Sequence, residues 1–263
     1  MSSQERSLNY TSYLALEEIL GAQRPKSDEH DEILFIVVHQ VYELWFKQLI
    51  HELRYLQRML EEGNDARAFA TFKRLLTILK LVVAQLDVIE TMTPVQFLAF
   101  RERLEQSSGF QSGQFRELEA ILGRRDPGVL DAYHEGSVDY EKVKAAMAHP
   151  SVYDSFLRYL AARGYAVPEE ILQRDVTRPV EESPGVQAAL LAAYRDDSEP
   201  AQVAERMVDF DEGFMEWRYH HVKMVERTIG ERPGTGGSPG AAYLRTTLHK
   251  PFFPDLWTVR SEL

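Results

Sequence analysis

Apolar residues return every three or four positions over most of the chain, the pattern of amphipathic helices. Val41, Leu44, Trp45, Leu49, Leu53, Leu56 and Leu60 mark one stripe. Phe69, Phe72, Leu75, Leu76, Leu79, Val82, Val83, Leu86 and Ile89 mark a second. Gly63-Asn64-Asp65 separates the two and supplies a cap for the second. The spacing predicts two long antiparallel helices with a tight connection. Thr93-Pro94-Val95-Gln96 opens the next helix: Thr93 caps it, Pro94 suits its first position, and Gln96 completes a capping box. That helix carries Phe97, Phe100, Arg101 and Leu104 and stops near Ser107-Ser108-Gly109. Further helices are predicted over about Gln114–Leu122, Tyr140–Ala148, Val152–Arg163, Val186–Arg195 and Ala201–Ile229. A short one starts within Asn9–Leu14, with Tyr10 and Tyr13 exposed. Pro168, Pro179 and Pro184 mark loops, and Phe252, Phe253 and Trp257 in the C-terminal segment must pack on something. No repeat, low-complexity segment or convincing strand pair is found. The expectation is an all-α fold, a single-domain helical bundle over residues 1–263 with long antiparallel helices.

Composition narrows the function classes. Lys+Arg 30 against Asp+Glu 41 gives a net charge of −11, which argues against a nucleic-acid binder but leaves room for a local basic pocket. There is no cysteine, so disulfides, thiolate zinc sites, cysteine-ligated iron–sulfur clusters and covalent haem attachment are excluded. A non-covalent haem on histidine remains open. Met1–Tyr10 has no apolar signal core, and no apolar run is expected to reach about 18 residues. A cytoplasmic protein with no membrane partner is the expectation.

Four places carry candidate chemistry. Phe35, His39, Tyr42 and Phe46 fall on one helical stripe, because four residues advance about 40° past a full turn; an imidazole framed by aromatic rings suits an aromatic ligand. His221 shares a face with Phe214, Trp217, Met224 and Val225. There it must be neutral or paired, and neutral imidazole is what a haem iron takes as a proximal ligand. His220 points about 100° away and reads as a surface residue. Arg101, one turn after Phe97, can clamp a carboxylate through its guanidinium. The glycine-rich loop Gly234–Gly240 follows a helix and has no phosphate-loop lysine; its glycines permit close approach to a ligand and movement, and Thr235 offers a hydroxyl. Each has an ordinary reading too: a core histidine for His39 and His221, a solvated helix arginine for Arg101, a connector for the loop. Glu29-His30-Asp31-Glu32 and His51-Glu52 lack zincin spacing and read as helix-start charges and surface pairs.

Together these segments resemble the tryptophan 2,3-dioxygenase family of haem enzymes. The resemblance rests on Leu34-Phe35-Ile36-Val37-Val38-His39-Gln40-Val41-Tyr42-Glu43-Leu44-Trp45-Phe46-Lys47, Met92-Thr93-Pro94, Ser107-Ser108-Gly109-Phe110-Gln111-Ser112, Trp217-Arg218-Tyr219, Glu226-Arg227-Thr228-Ile229-Gly230, Gly234-Thr235-Gly236-Gly237-Ser238 and Phe252-Phe253-Pro254-Asp255-Leu256-Trp257. They occur in the same order from about Tyr10 onward. The resemblance implies a non-covalent b-type haem, Fe(II) in the active form, on His221, with Ser108 and Trp217 beside it. It implies a distal His39 that accepts the indole N–H, Phe35 and Phe97 as pocket walls, Arg101 on the substrate carboxylate, and Thr235 at the amino and carboxylate ends. Tyr10, Tyr13 and Leu14 match residues donated to a neighbouring subunit's site, the N-terminal segment 1–20 packing there in a homotetramer. The implied reaction joins L-tryptophan and O2 to give N-formyl-L-kynurenine, the first step of tryptophan catabolism. Leu122–Asp175 fits the pattern only loosely, and Val38 is apolar where some members are more polar.

Two other readings stand beside this one. A family relative in secondary metabolism would oxygenate a modified indole; Arg101 and Thr235 favour instead a free amino acid, since a substrate without those groups would leave them unpaired. A helical haem sensor would need only the proximal histidine and an apolar pocket.

Overall fold

The computed structural model describes residues 8–235 and 240–263; the loop positions 236–239 and the first seven residues lie outside that description. The fold is all-α, and no strand occurs among the described residues. In chain order the helices are α1 (Tyr10–Tyr13), α2 (Leu16–Leu20), α3 (His30–Glu61), α4 (Asp65–Ile89), α5 (Pro94–Arg101), α6 (Gly113–Leu122), α7 (Val138–Ala148), α8 (Val152–Ala162), α9 (Glu169–Leu172), α10 (Pro184–Arg195), α11 (Glu199–Ile229), α12 (Ala241–Arg245) and α13 (Pro254–Thr258). Short 3₁₀ turns link several of them.

Three long helices form the frame. α3 packs on α4, α6 and α8, and α4 packs on α11. The stripe Leu49, Leu53, Leu56 and Leu60 is fully buried, as are Phe72, Leu75, Leu79, Val82 and Leu86 opposite it. Gly63 turns the chain at φ 66°, a left-handed conformation that favours glycine, and Asn64 accepts the Arg67 N–H as N-cap of α4. Thr93 and Gln96 make the reciprocal capping box that the sequence predicts, with Pro94 in the first turn. α5 is shorter than its apolar pattern: it ends at Arg101, a 3₁₀ turn covers Glu102–Leu104, and Glu105 sits at φ 50°. By length and mean hydropathy α3 is apolar enough to cross a membrane, although His39, Gln40, Glu43, Lys47 and Gln48 interrupt its apolar run. In this fold α3 is the helix around which the core is assembled.

The C-terminal aromatic segment packs on α10 and α11. Asp211, fully buried on α11, accepts the backbone N–H groups of Phe252 and Phe253 and the indole N–H of Trp257. Phe252 then meets Phe214 edge to face at 5.1 Å. Two charged groups read as surface pairs prove to be internal. Glu32 is 1% exposed and accepts from the Lys26 and Ser27 N–H groups and the Ser27 hydroxyl, tying down the chain that leads into α3. Glu52 is 4% exposed and accepts from Arg74 and Gln48. Lys26 and Ser27 precede α3 and Arg74 belongs to α4, so the periodicity of α3 gives no warning of them.

Candidate functional site

A cavity of about 280 Å³ opens where α3, α5, α6, α11 and α12 meet. Eight residues singled out from scattered parts of the sequence line it together: Phe35, His39, Phe97, Arg101, Ser108, Trp217, His221 and Thr235. Helical periodicity explains the placement. Phe35, His39, Tyr42 and Phe46 are successive turns of one face of α3, and Trp217, His221, Met224, Val225 and Thr228 are successive turns of α11. α5 closes one end through a small apolar cluster of Met92, Phe97 and Phe100, against which Phe35 and Ile229 pack.

His39 is fixed by its own helix. Its Nδ1 lies 2.7 Å from the Phe35 carbonyl oxygen. A carbonyl only accepts, so Nδ1 carries the proton and Nε2 keeps its lone pair. The ring is exposed by surface area yet surrounded by protein, because that surface faces the cavity and not open solvent. Burial pushes its pKa down, against the opposing pull of the Phe35 carbonyl and Glu43. His221 faces the same cavity and stacks on Trp217, ring centroids 5.0 Å apart and 16° from parallel. Burial first, then the nearby imidazoles of His39 and His220, pushes it down to about 4. Both imidazoles are therefore neutral bases at pH 7 with no charge to neutralise.

At the opposite edge Arg101 donates from Nη2 to the Pro233 carbonyl at 2.5 Å, and the Thr235 hydroxyl donates to the Ser107 carbonyl. Pro233 and Thr235 are thus each tied to a neighbouring segment, one by Arg101 and one through its own hydroxyl. Of that loop, Gly236, Gly237, Ser238 and Pro239 lie outside the described residues. Ser108, N-cap of the turn Gly109–Gln111, also lines this edge. Tyr10, Tyr13 and Leu14 do not line the cavity of their own chain; they are 75%, 71% and 37% exposed.

Reading the sequence missed a buried cationic wall. Arg116 and Arg218 line the cavity, 6% and 4% exposed, and share the carboxylate of Glu119. Arg116 donates to Glu119 at 2.7 Å and Arg218 at 3.3 Å, and Arg124 adds a third guanidinium at 3.1 Å. Asp126 reaches only Arg124, at 3.5 Å and near the surface. Arg218 also donates to the Lys250 carbonyl at 2.8 Å and lies over the rings of Phe214 and Phe252. Burial lowers the Arg218 pKa against the opposing effect of Glu119. Asp211 acts on Arg218 as well, so the wall is a set of paired guanidiniums of which Arg116 and Arg218 border the cavity. Two polar atoms of cavity-lining residues, Arg116 Nε and Trp217 Nε1, are buried with no partner. Such orphans are rare in native interiors. In the sequence, Arg116 and Glu119 look like an exposed i,i+3 pair, and only the internal position of α6 distinguishes them from one.

The residues present fit a b-type haem on these observations. A neutral imidazole faces the cavity, the walls are mostly apolar and aromatic, and the guanidiniums of Arg116 and Arg218 at one end suit the two carboxylates that such a porphyrin carries.

Comparison with known proteins gives a consistent picture. A family model described as tryptophan 2,3-dioxygenase matches residues 1–199 and 193–263. The chain is 61% identical over its whole length to the tryptophan 2,3-dioxygenase of Anaeromyxobacter sp. (strain K), covering 98% of that protein. It is 54% identical over 98% of its length to that of Herpetosiphon aurantiacus, covering 99% of it. It is 38% identical over 98% of its length to that of Bacillus cereus, covering 94% of it.

Proposed function

The chain belongs to the tryptophan 2,3-dioxygenase family, and on that premise we propose that it inserts both atoms of O2 across the indole C2–C3 bond of L-tryptophan, giving N-formyl-L-kynurenine. The observation that carries this reading is the convergence of Phe35, His39, Phe97, Arg101, Trp217, His221 and Thr235 on one cavity.

In this reading His221 holds a non-covalent b-type haem through its neutral imidazole, with Arg116 and Arg218 taking the porphyrin carboxylates and Trp217 and Ser108 beside it. Bound there as Fe(II), the haem supplies the binding and activation of O2. The protein's own residues bind and orient the amino acid. Tryptophan is a zwitterion with an aromatic body and one ring N–H. Phe35 and Phe97 give the indole two aromatic walls. His39 Nε2, its lone pair fixed by the Phe35 bond, accepts the indole N–H; it orients the ring, and the chemistry asks no proton abstraction of it. Arg101 takes the carboxylate, and Thr235 binds at the amino and carboxylate ends. To do so both exchange their contacts with Pro233 and Ser107 for the substrate, and the amino acid so held displaces water from the cavity. Holding the C2–C3 bond in one orientation is the larger part of the protein's contribution.

The site is completed in this reading by Tyr10, Tyr13 and Leu14 of a neighbouring subunit in a cytoplasmic homotetramer. Supporting it, α1 and α2 bury none of their residues. Further apolar side chains stand exposed on the long helices, among them Ile33, Val37 and Leu44 on α3 and Leu81 and Val88 on α4.

The test is a product assay. Haem-loaded, reduced protein is given L-tryptophan and O2, and the near-ultraviolet absorption of N-formylkynurenine is followed. Its appearance with matching loss of tryptophan is expected. A hydroxylated indole as sole product, or tight haem binding with no turnover, overturns the proposal.

A further inference from the structure

Outside the cavity, the other side of the α4–α11 contact gathers a separate set of donor atoms. Asp87 and Glu90, at the end of α4, converge with His220 of α11, and one ligand atom from each lies within 4.8 Å of the others. His220 Nε2 stands 3.3 Å from Glu90 Oε1 and 3.7 Å from Asp87 Oδ1. These separations are long for N–H···O bonds, which run to about 3.2 Å. The 3.3 Å separation matches the edge of a coordination polyhedron, since two ligands each about 2.0–2.1 Å from a tetrahedral ion stand about 3.3 Å apart; the exposed Asp87, at 3.7 Å, has to move in slightly.

We propose that Asp87, Glu90 and His220 form a surface site for a divalent transition cation of the zinc class, separate from the substrate cavity. Imidazole with carboxylates suits zinc and its neighbours, whereas magnesium and calcium take oxygen ligands throughout. Glu90 and His220 form the firm base of the site, their side chains 17% and 27% exposed; Asp87, 73% exposed, closes it from the solvent side and leaves room for water ligands. Arg227 stands 3.5 Å from Glu90 Oε2, which turns the other oxygen, Oε1, toward the imidazole. An outer partner of this kind orients a ligating carboxylate. An ion held here ties the end of α4 to α11 one residue before His221. An ordinary imidazole–carboxylate ion pair has the same residues but takes up no metal.

The experiment uses the haem-loaded protein, cleared of loose metal with a chelator and then dialysed against Zn²⁺ alone. One zinc per chain at micromolar free metal is expected, together with a rise in unfolding temperature on adding zinc. His220→Gln and Glu90→Gln should each weaken binding at least about tenfold, and His249→Gln, a change at an exposed histidine outside the cluster, should leave it unchanged. Metal-free melting curves of the variants, expected to match the parent because none of these groups is fully buried, separate loss of the site from loss of the fold. Failure to saturate near one zinc per chain, or undiminished binding in His220→Gln, overturns the proposal.

Discussion

His39 and Phe35 are joined twice: their ring centroids lie 4.1 Å apart, and the His39 Nδ1–H donates to the Phe35 carbonyl. One residue thereby sets the position, rotamer and tautomer of the other. Phe35 in turn touches Phe97 and Phe100, at 5.7 and 5.6 Å, so the orientation of the imidazole is transmitted from α5 as well as from α3. The free lone pair on Nε2 is a consequence of backbone geometry, and it is available as a hydrogen-bond acceptor without any change of protonation.

Replacing His39 by Ala therefore removes an acceptor and leaves a buried indole N–H unpaired. A loss of about tenfold to a hundredfold in kcat/KM for L-tryptophan is expected, the cost of one unsatisfied buried donor. The informative comparison is 1-methyl-L-tryptophan, which has no N–H and whose methyl group would press on the imidazole. The parent should discriminate strongly against it, and His39→Ala should lose that discrimination. Equal preference ratios in the two proteins would remove His39 from contact with the ring nitrogen.

Arg101 makes the complementary prediction at the other end of the substrate. Its guanidinium already spans to the backbone of the loop at Pro233, so its planar donor set is held at the cavity mouth before any carboxylate arrives. Arg101→Ala should reduce kcat/KM for L-tryptophan by about tenfold to a hundredfold, as expected for loss of a charge-assisted hydrogen bond. Activity toward tryptamine, which lacks the carboxylate, should be little changed. A matching fall for both substrates would show that the arginine serves to seat the loop and not the ligand.

Helices were the legible part of this sequence, because apolar periodicity and capping chemistry are local. Thr93–Gln96, Asn64 and the stripes of α3, α4 and α11 could be read without knowing what they pack against, and the boundaries of α6, α8 and α11 fall within a residue or two of expectation. Charges were read less well. Glu32, Glu52, Arg116, Glu119 and Arg218 sit at positions where a surface pair and an internal one have the same local pattern; the difference lies in which helix arrives on top of them. The cavity residues were legible only in combination. His39, His221 and Arg101 each have an ordinary reading alone, and it is their convergence on one cavity, together with family membership, that selects the functional reading.

Arg116 carries a prediction that reading the sequence could not have made. Its Nη1 is held by Glu119 and its guanidinium lies over the rings of Phe110 and Phe115, so the protein orients the side chain at the cavity wall. Arg116→Met keeps the volume and removes the charge. Haem transfer from the variant to an excess of apomyoglobin should be faster than from the parent by about tenfold or more, as for loss of one charge-assisted bond. Glu119 keeps Arg124 and Arg218 as partners, so the melting temperature of the haem-free variant should stay near that of the parent. Unchanged haem transfer would exclude Arg116 from the porphyrin carboxylates.

The depressed pKa of His221 gives a prediction about pH with a definite sign. In the unfolded chain the imidazole titrates near its ordinary value of about 6.5; in the haem-free folded protein burial pushes it down to about 4. Between those values the unfolded state binds the proton and the folded state does not. Stability therefore falls as the pH is lowered through that window, by about 3 kcal/mol from this group alone if it stays neutral throughout. His39, also shifted down by burial, acts in the same direction. Asp211 opposes them: burial raises its pKa, so its protonation favours the folded state as the pH drops. Comparing His221→Phe with the parent isolates the one contribution. Urea unfolding of the two haem-free proteins at pH 7 and pH 5 should show a smaller loss of stability for the variant. An equal loss in both would mean that the cavity admits enough water to solvate an imidazolium, and that His221 does not sit in the apolar surroundings on which its role as a neutral iron ligand depends.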